Sequence, residues 1–235
     1  LHSRIARRIC QLGVSSFITQ IAIVVIISVA NNMIVLQGPQ SPYGADIPLS
    51  AVGIVMKVFG IVIAFSVGIA VGGQPIIGYN YGAGNFKRVF SVYRLVILAN
   101  IAVGAISMLL FECCPQVIVH LFGSESDLYN EYANLCFRIY LGGILLCCIQ
   151  KASSIFLQAI GKPVKATVLS LSRDVVFLVP GVVILSSFFG VTGMLWAAPV
   201  ADVLSFLLTI LLIGMESKSI RRKEESEECK SALSP

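Results

Sequence analysis

Charge is scarce in this sequence. Of its 235 residues only 12% are Asp, Glu, Lys or Arg, 57% are hydrophobic, and the mean hydropathy is +0.89. A water-soluble domain carries about twice that charged fraction. Too few polar side chains remain to coat a surface facing water, so lipid is the solvent for most of the chain. Histidine is just as sparse. His2 and His120 stand too far apart to suggest a metal site, and no HExxH occurs. The seven cysteines (Cys10, Cys113, Cys114, Cys136, Cys147, Cys148 and Cys229) lack the spacing of a zinc site and read as small buried hydrophobes. No Ser or Cys nucleophile has a partner at a telling spacing, so an enzyme is not expected. Residue 1 is Leu, and no signal peptide follows. The sequence therefore reads as part of a longer chain or a processed one.

What the sequence has instead is long apolar runs. A helix crosses the hydrocarbon core in roughly 20 residues, and runs of that length fall at about 12–36, 49–77, 89–112, 132–160, 164–188 and 192–215. The expected architecture is all-α, with six transmembrane helices. Residues 1–11 form a cytoplasmic lead-in and 216–235 a disordered cytoplasmic tail, because the tail is mixed in charge and poor in apolar residues. Short connections rich in Gly, Pro, Asn and Ser punctuate the runs.

The basic residues are distributed unequally. Arg4, Arg7, Arg8, Lys87, Arg88, Arg94, Lys162, Lys165, Arg173, Lys218, Arg221, Arg222, Lys223 and Lys230 all fall on one side of a six-span zigzag. The other side has no Lys or Arg and holds Asp46, Glu125, Asp127 and Glu131. By the positive-inside rule both termini of this segment lie in the cytoplasm of an integral, multi-pass plasma (inner) membrane protein. That asymmetry accounts for the net charge of +5 without nucleic acid as a partner.

Several polar groups fall where lipid forbids them. Lys57, Arg138, Lys151, Asp174 and Asp202 lie inside apolar runs, as do Gln20, Asn31, Asn32, Gln74 and Gln150. A charge at mid-bilayer costs at least about 2.5–3.5 kcal/mol, so such groups face a cavity or a partner. Arg138 is close enough to an outer end to snorkel. Asp174 beside Arg173 reads as a local pair, and Asp202 as bonded to a neighbouring helix.

The stretch GGQPIIGYNYGAGNFKRV, Gly72 to Val89, invites a phosphate-loop reading. Its flanks are membrane helices, however, and its spacing fits neither GxxxxGKS/T nor GxGxxG. Pro75 is expected to end or bend the second span, with a shaped turn built on Gly78, Asn80, Gly82 and Gly84. Asn85 would cap the next helix.

That stretch resembles the segment after the eighth helix of the multidrug and toxic compound extrusion (MATE) transporters. FLQAIGKP at Phe156–Pro163 is similar to the end of that family's tenth helix, SLSRDVVFLVPGVVIL from Ser170 to its eleventh, and WAAPVADVLSF from Trp196 to its twelfth. The resemblance implies one six-helix lobe of a twelve-helix protein, paired with an N-terminal six-helix lobe of the same parent chain. It further implies secondary active efflux of small cationic amphipathic compounds in exchange for protons or sodium, without other cofactors. Substrate-cavity candidates are Gln20, Asn31, Lys57, Phe59, Phe65, Gln150 and Lys151, with Gln74, Pro75, Gly78, Asn80, Gly82 and Gly84 as the loop motif. Some members place coupling carboxylates in their seventh and tenth helices. The first and fourth runs here carry none, so the coupling acid is expected in the other lobe. A flippase for a lipid-linked saccharide and a non-transporting membrane half-protein are the alternatives.

Overall fold

In the computed structural model, which describes residues 3–122 and 126–233, regular structure is helical throughout and no strand forms among the described residues. Helix α1 spans Ser3–Gln37, α2 Asp46–Gly82, α3 Phe86–Cys113, α4 Pro115–Phe122, α5 Asp127–Tyr140, α6 Ile144–Ala159 and α7 Pro163–Leu171. A π-helical segment, Ser172–Leu178, then leads into α8, Val179–Leu233. Helices α5 and α6 meet at 45° and together make one bent span.

The stretch from Pro163 to Arg222 is apolar along most of its length, yet it is two spans. Gly190, with φ 65° and ψ −152°, breaks α8. An unbroken helix would hold Arg173 and Asp202, 29 residues apart in sequence, about 43 Å apart; their side chains meet at 2.7 Å. Residues on the two arms of α8 pack together as well, with Gly181 directly against Ala197. Six spans result: α1, α2, α3, α5–α6, α7 with the first arm of α8, and the second arm of α8.

Helix α6 is the hub. Gln150 donates to the Leu169 carbonyl at 2.8 Å and Ser154 to the Ala166 carbonyl at 2.9 Å, tying α6 to α7. Ser153 meets Tyr93 of α3 at 2.9 Å. Ser66 of α2 bonds to Asn100 of α3 and reaches the Cys148 carbonyl of α6 at 3.5 Å. Apolar helices gain little from packing against one another in lipid, so such polar cross-links and close contacts hold them. One apolar cluster gathers Tyr43, Tyr132, Phe137 and Phe111 toward one end, and another gathers Ile77, Phe86, Phe156, Leu169 and Ile220 toward the other.

Three local expectations are corrected. Pro75 does not end the second span, since α2 runs through it to Gly82. Gln74, Pro75, Gly78, Asn80 and Gly82 are therefore helical, and only Gly84, with φ 73°, sits in the turn. The helix survives because Pro75 is exposed and the downstream turns are anchored: Ile77 is buried, Asn80 donates its side-chain amide to Ile76 O at 2.8 Å, and Gly78 lies close to the Ala159 carbonyl of α6. Asn85 does cap α3, accepting from the Arg88 N–H at 3.4 Å.

The segment from 216 onward is helix through Leu233 rather than disordered tail. It extends a helix that is already nucleated, with strong helix formers, and is anchored where Glu216 accepts from both Lys162 and Lys165. Finally, Cys113 and Cys114 are exposed at the end of α3, whereas Cys136, Cys147 and Cys148 are buried. The first two fall where α3 ends, beyond the packed helix faces. Cys10, Cys229 and Glu125 lie outside the residues whose side chains are described.

Candidate functional site

Three spans converge on a chain of four charges. Lys151, on α6, donates from Nζ to Asp174 Oδ2 at 2.9 Å. Asp174 Oδ1 accepts from Arg173 Nη1 at 2.8 Å, and Arg173 Nε donates to Asp202 Oδ1 at 2.7 Å. Arg173 and Asp174 come from the π-helical segment and Asp202 from the second arm of α8. Arg173, Asp174 and Asp202 are almost fully buried, at 3%, 4% and 1% exposure, while Lys151 is only partly covered. The two positive and two negative charges cancel, which is how charge is tolerated at this depth.

Backbone irregularities make this arrangement possible. In a π-turn the helix widens by one residue, a feature that recurs at functional sites. Here it lies just ahead of Pro180, which offers no N–H and crowds the carbonyl one turn back. The α5–α6 break at Leu141–Gly143 provides room for the acid. The Asp202 carboxylate rests directly on Gly143, so that any Cβ there would overlap Oδ2 and lie 2.8 Å from Asp202 Cβ. Phe59 of α2 closes the site from another side, its ring 5.2 Å from the Arg173 guanidinium carbon and edge-on to Tyr140.

The seven cavity candidates do not form one site. Lys151 and Phe59 belong to this cluster. Gln150 is fully buried but faces α7 through Leu169, and its Oε1 has no partner. Gln20, Asn31, Lys57 and Phe65 are exposed and stand apart from the charges. The reason is angular. At about 100° per residue, Lys57 and Phe59 lie on nearly opposite faces of α2, whereas Gln20 and Asn31 share a face of α1. Asp174 is more than a local partner of Arg173, because it also receives Lys151. Arg173, Asp174 and Asp202 were all missing from the candidate set. The available signal was the two acids, Asp174 and Asp202, which need cations as partners inside otherwise apolar spans.

These features define an integral membrane bundle whose internal charges are neutralised between helices. The chain belongs to the MatE family, whose sequence profile matches residues 16–184. It is 25% identical over 146 residues to the multidrug export protein MepA of Staphylococcus haemolyticus, a match covering 62% of this chain and 32% of that protein. Its fold matches an outward-facing multidrug resistance MATE family transporter of the MOP superfamily with a TM-score of 0.83 at 16% identity, over 94% of this chain and 48% of that one. It likewise matches the MATE transporter ClbM in complex with Rb+, with a TM-score of 0.76 at 22% identity, over 96% and 51%. The chain thus spans about half of these solved transporters and about a third of the curated relative.

Proposed function

We propose that this chain is the C-terminal lobe of a secondary active multidrug exporter that exchanges small cationic amphipathic compounds for protons or sodium by alternating access. The observation that carries the reading is the exposed polar face. Gln20 and Asn31 on α1 and Lys57 and Phe65 on α2 are exposed on spans that otherwise read as lipid-embedded, and such groups suit a water-filled cleft against a second lobe. The match to about half of each solved MATE transporter supports the pairing with an N-terminal six-helix lobe. In this reading both ends of the segment are cytoplasmic, in the plasma membrane. The three buried acids of the cluster and its clamp (Asp174, Asp202 and Glu216) are all committed to Lys or Arg. The acid that trades a cation for substrate therefore belongs to the other lobe.

The test is efflux of a cationic dye such as ethidium from cells carrying the full-length protein. Export that stops when an ionophore collapses the proton or sodium gradient is the expected result. Absence of dye export, with translocation of a lipid-linked saccharide in its place, would overturn the reading.

A further inference from the structure

Away from the charge cluster, a cavity of about 580 Å³ opens between α3, α6 and the second arm of α8. That volume falls within the range of small-ligand sites, about 300–1,000 Å³. Its walls are mainly apolar, among them Ile97, Ile149, Phe206 and Ile210, and no Asp or Glu lines it among the described residues. Two arginines do, Arg94 and Arg221. Both are exposed, and neither forms an ion pair among the described residues.

Depth can be read from the helices. Arg94 lies eight residues into α3, about 12 Å from the end that carries Lys87 and Arg88. Arg221 lies just beyond Glu216, where the clamp to Lys162 and Lys165 marks the same end of the bundle. The groove thus runs from Arg221 at the basic end, past Arg94 about 12 Å further in along α3, into apolar walls. The surface around it is apolar too, with Leu95, Leu98, Leu207 and Leu211 all more than half exposed.

We infer that this groove binds an anionic phospholipid of the leaflet at the basic end. Its phosphodiester would lie between Arg94 and Arg221 and one acyl chain along the apolar wall. Guanidinium pairs well with phosphate oxygens, and basic pockets between membrane helices are lipid-headgroup sites. A free phosphate ion would leave the apolar walls unused. The inference rests on the chain spanning the membrane and not on efflux, so it stands or falls without any transport assay.

The experiment reconstitutes the full-length protein in phosphatidylcholine nanodiscs with or without phosphatidylglycerol, then counts retained lipids by native mass spectrometry. Wild type is expected to retain phosphatidylglycerol in preference to phosphatidylcholine. Arg94→Gln and Arg221→Gln should each lower that retention about fivefold. Gly214 lines the same groove, and a Cβ there meets nothing within 4 Å, so Gly214→Leu should fill the groove and expel the lipid from a folded protein. Arg222→Gln, an exposed neighbour outside the groove, should change nothing. Undiminished retention in the double arginine variant would overturn the site. So would equal loss in Arg222→Gln, which would mean diffuse surface charge, or full displacement of the lipid by inorganic phosphate.

Discussion

Arg173 bridges two acids at once, and these three groups are buried because each answers another. Removing one partner of such a buried pair leaves an uncompensated charge and costs about 3–5 kcal/mol. Asp202→Asn and Arg173→Ala are therefore expected to lower the melting temperature of the purified full-length protein sharply. The double variant Arg173→Met with Asp202→Leu should recover most of the loss, since apolar isosteres need no partner. If the single variants melt like wild type, the chain does not hold the three spans together. Gly143→Ala should act through the same acid. The added methyl displaces the Asp202 carboxylate, at about 1–3 kcal/mol for overpacking. In an Asp202→Gly background, which removes both the carboxylate and the Cβ 2.8 Å away, that penalty should largely vanish, a coupling that a double-mutant cycle reads directly. The sequence exposed these charges without their geometry. Arg173 and Asp174 are neighbours, but Lys151 and Asp202 lie 23 and 29 residues from their partners, and only the packing of spans closes such distances.

At the scale of elements, the spans were legible because lipid imposes a length and an apolar composition on each of them. Among the connections, the one between the fifth and sixth runs was the least legible, because Phe188 and Phe189 run almost into Gly193, and the structure puts its break at Gly190. Its φ of 65° and ψ of −152° fall in a region nearly confined to glycine. Gly190→Ala should cost about 1–3 kcal/mol of stability, seen as a lower melting temperature of the full-length protein. Gly214→Ala, in the helical interior of the other arm and free of clashes, should by contrast gain up to about 1 kcal/mol. Equal effects at the two positions would mean that the break at Gly190 is not needed. Departures from regular helix were less legible. Pro75 looks like a stop in sequence, but its span is held on its far side by Ile77 and Asn80. The π-turn and the Leu141–Gly143 bend follow from tertiary fit around Arg173 and Asp202, and no local motif encodes that fit. The tail shows the opposite case, where mixed charge suggested disorder but an anchored helix simply continues.

For the whole molecule, Lys57 is the charge inside the spans that bears most directly on the proposed second lobe. It lies eleven residues into α2, about 16 Å from the start of that helix, which is near the middle of a hydrocarbon core about 30 Å thick. Its side chain is exposed and has no ion pair among the described residues. The internal cations Lys151 and Arg173 are each answered by an acid of this chain. An ammonium facing lipid at that depth carries a large penalty, so the face of α2 that bears Lys57 and Phe65 belongs against water or another lobe. Gly53, Gly60 and Gly68 are exposed on the same helix, and a Cβ at any of them meets nothing, which lets a partner backbone approach closely. If Lys57 answers an acid across that cleft, Lys57→Ala should reduce dye export severalfold while membrane expression stays at wild-type level. Export and expression falling together would assign Lys57 to folding. Unchanged export would remove it from the cleft altogether. The first outcome would also direct the search for the coupling acid, because the group that faces Lys57 from the other lobe would then be the first carboxylate to replace.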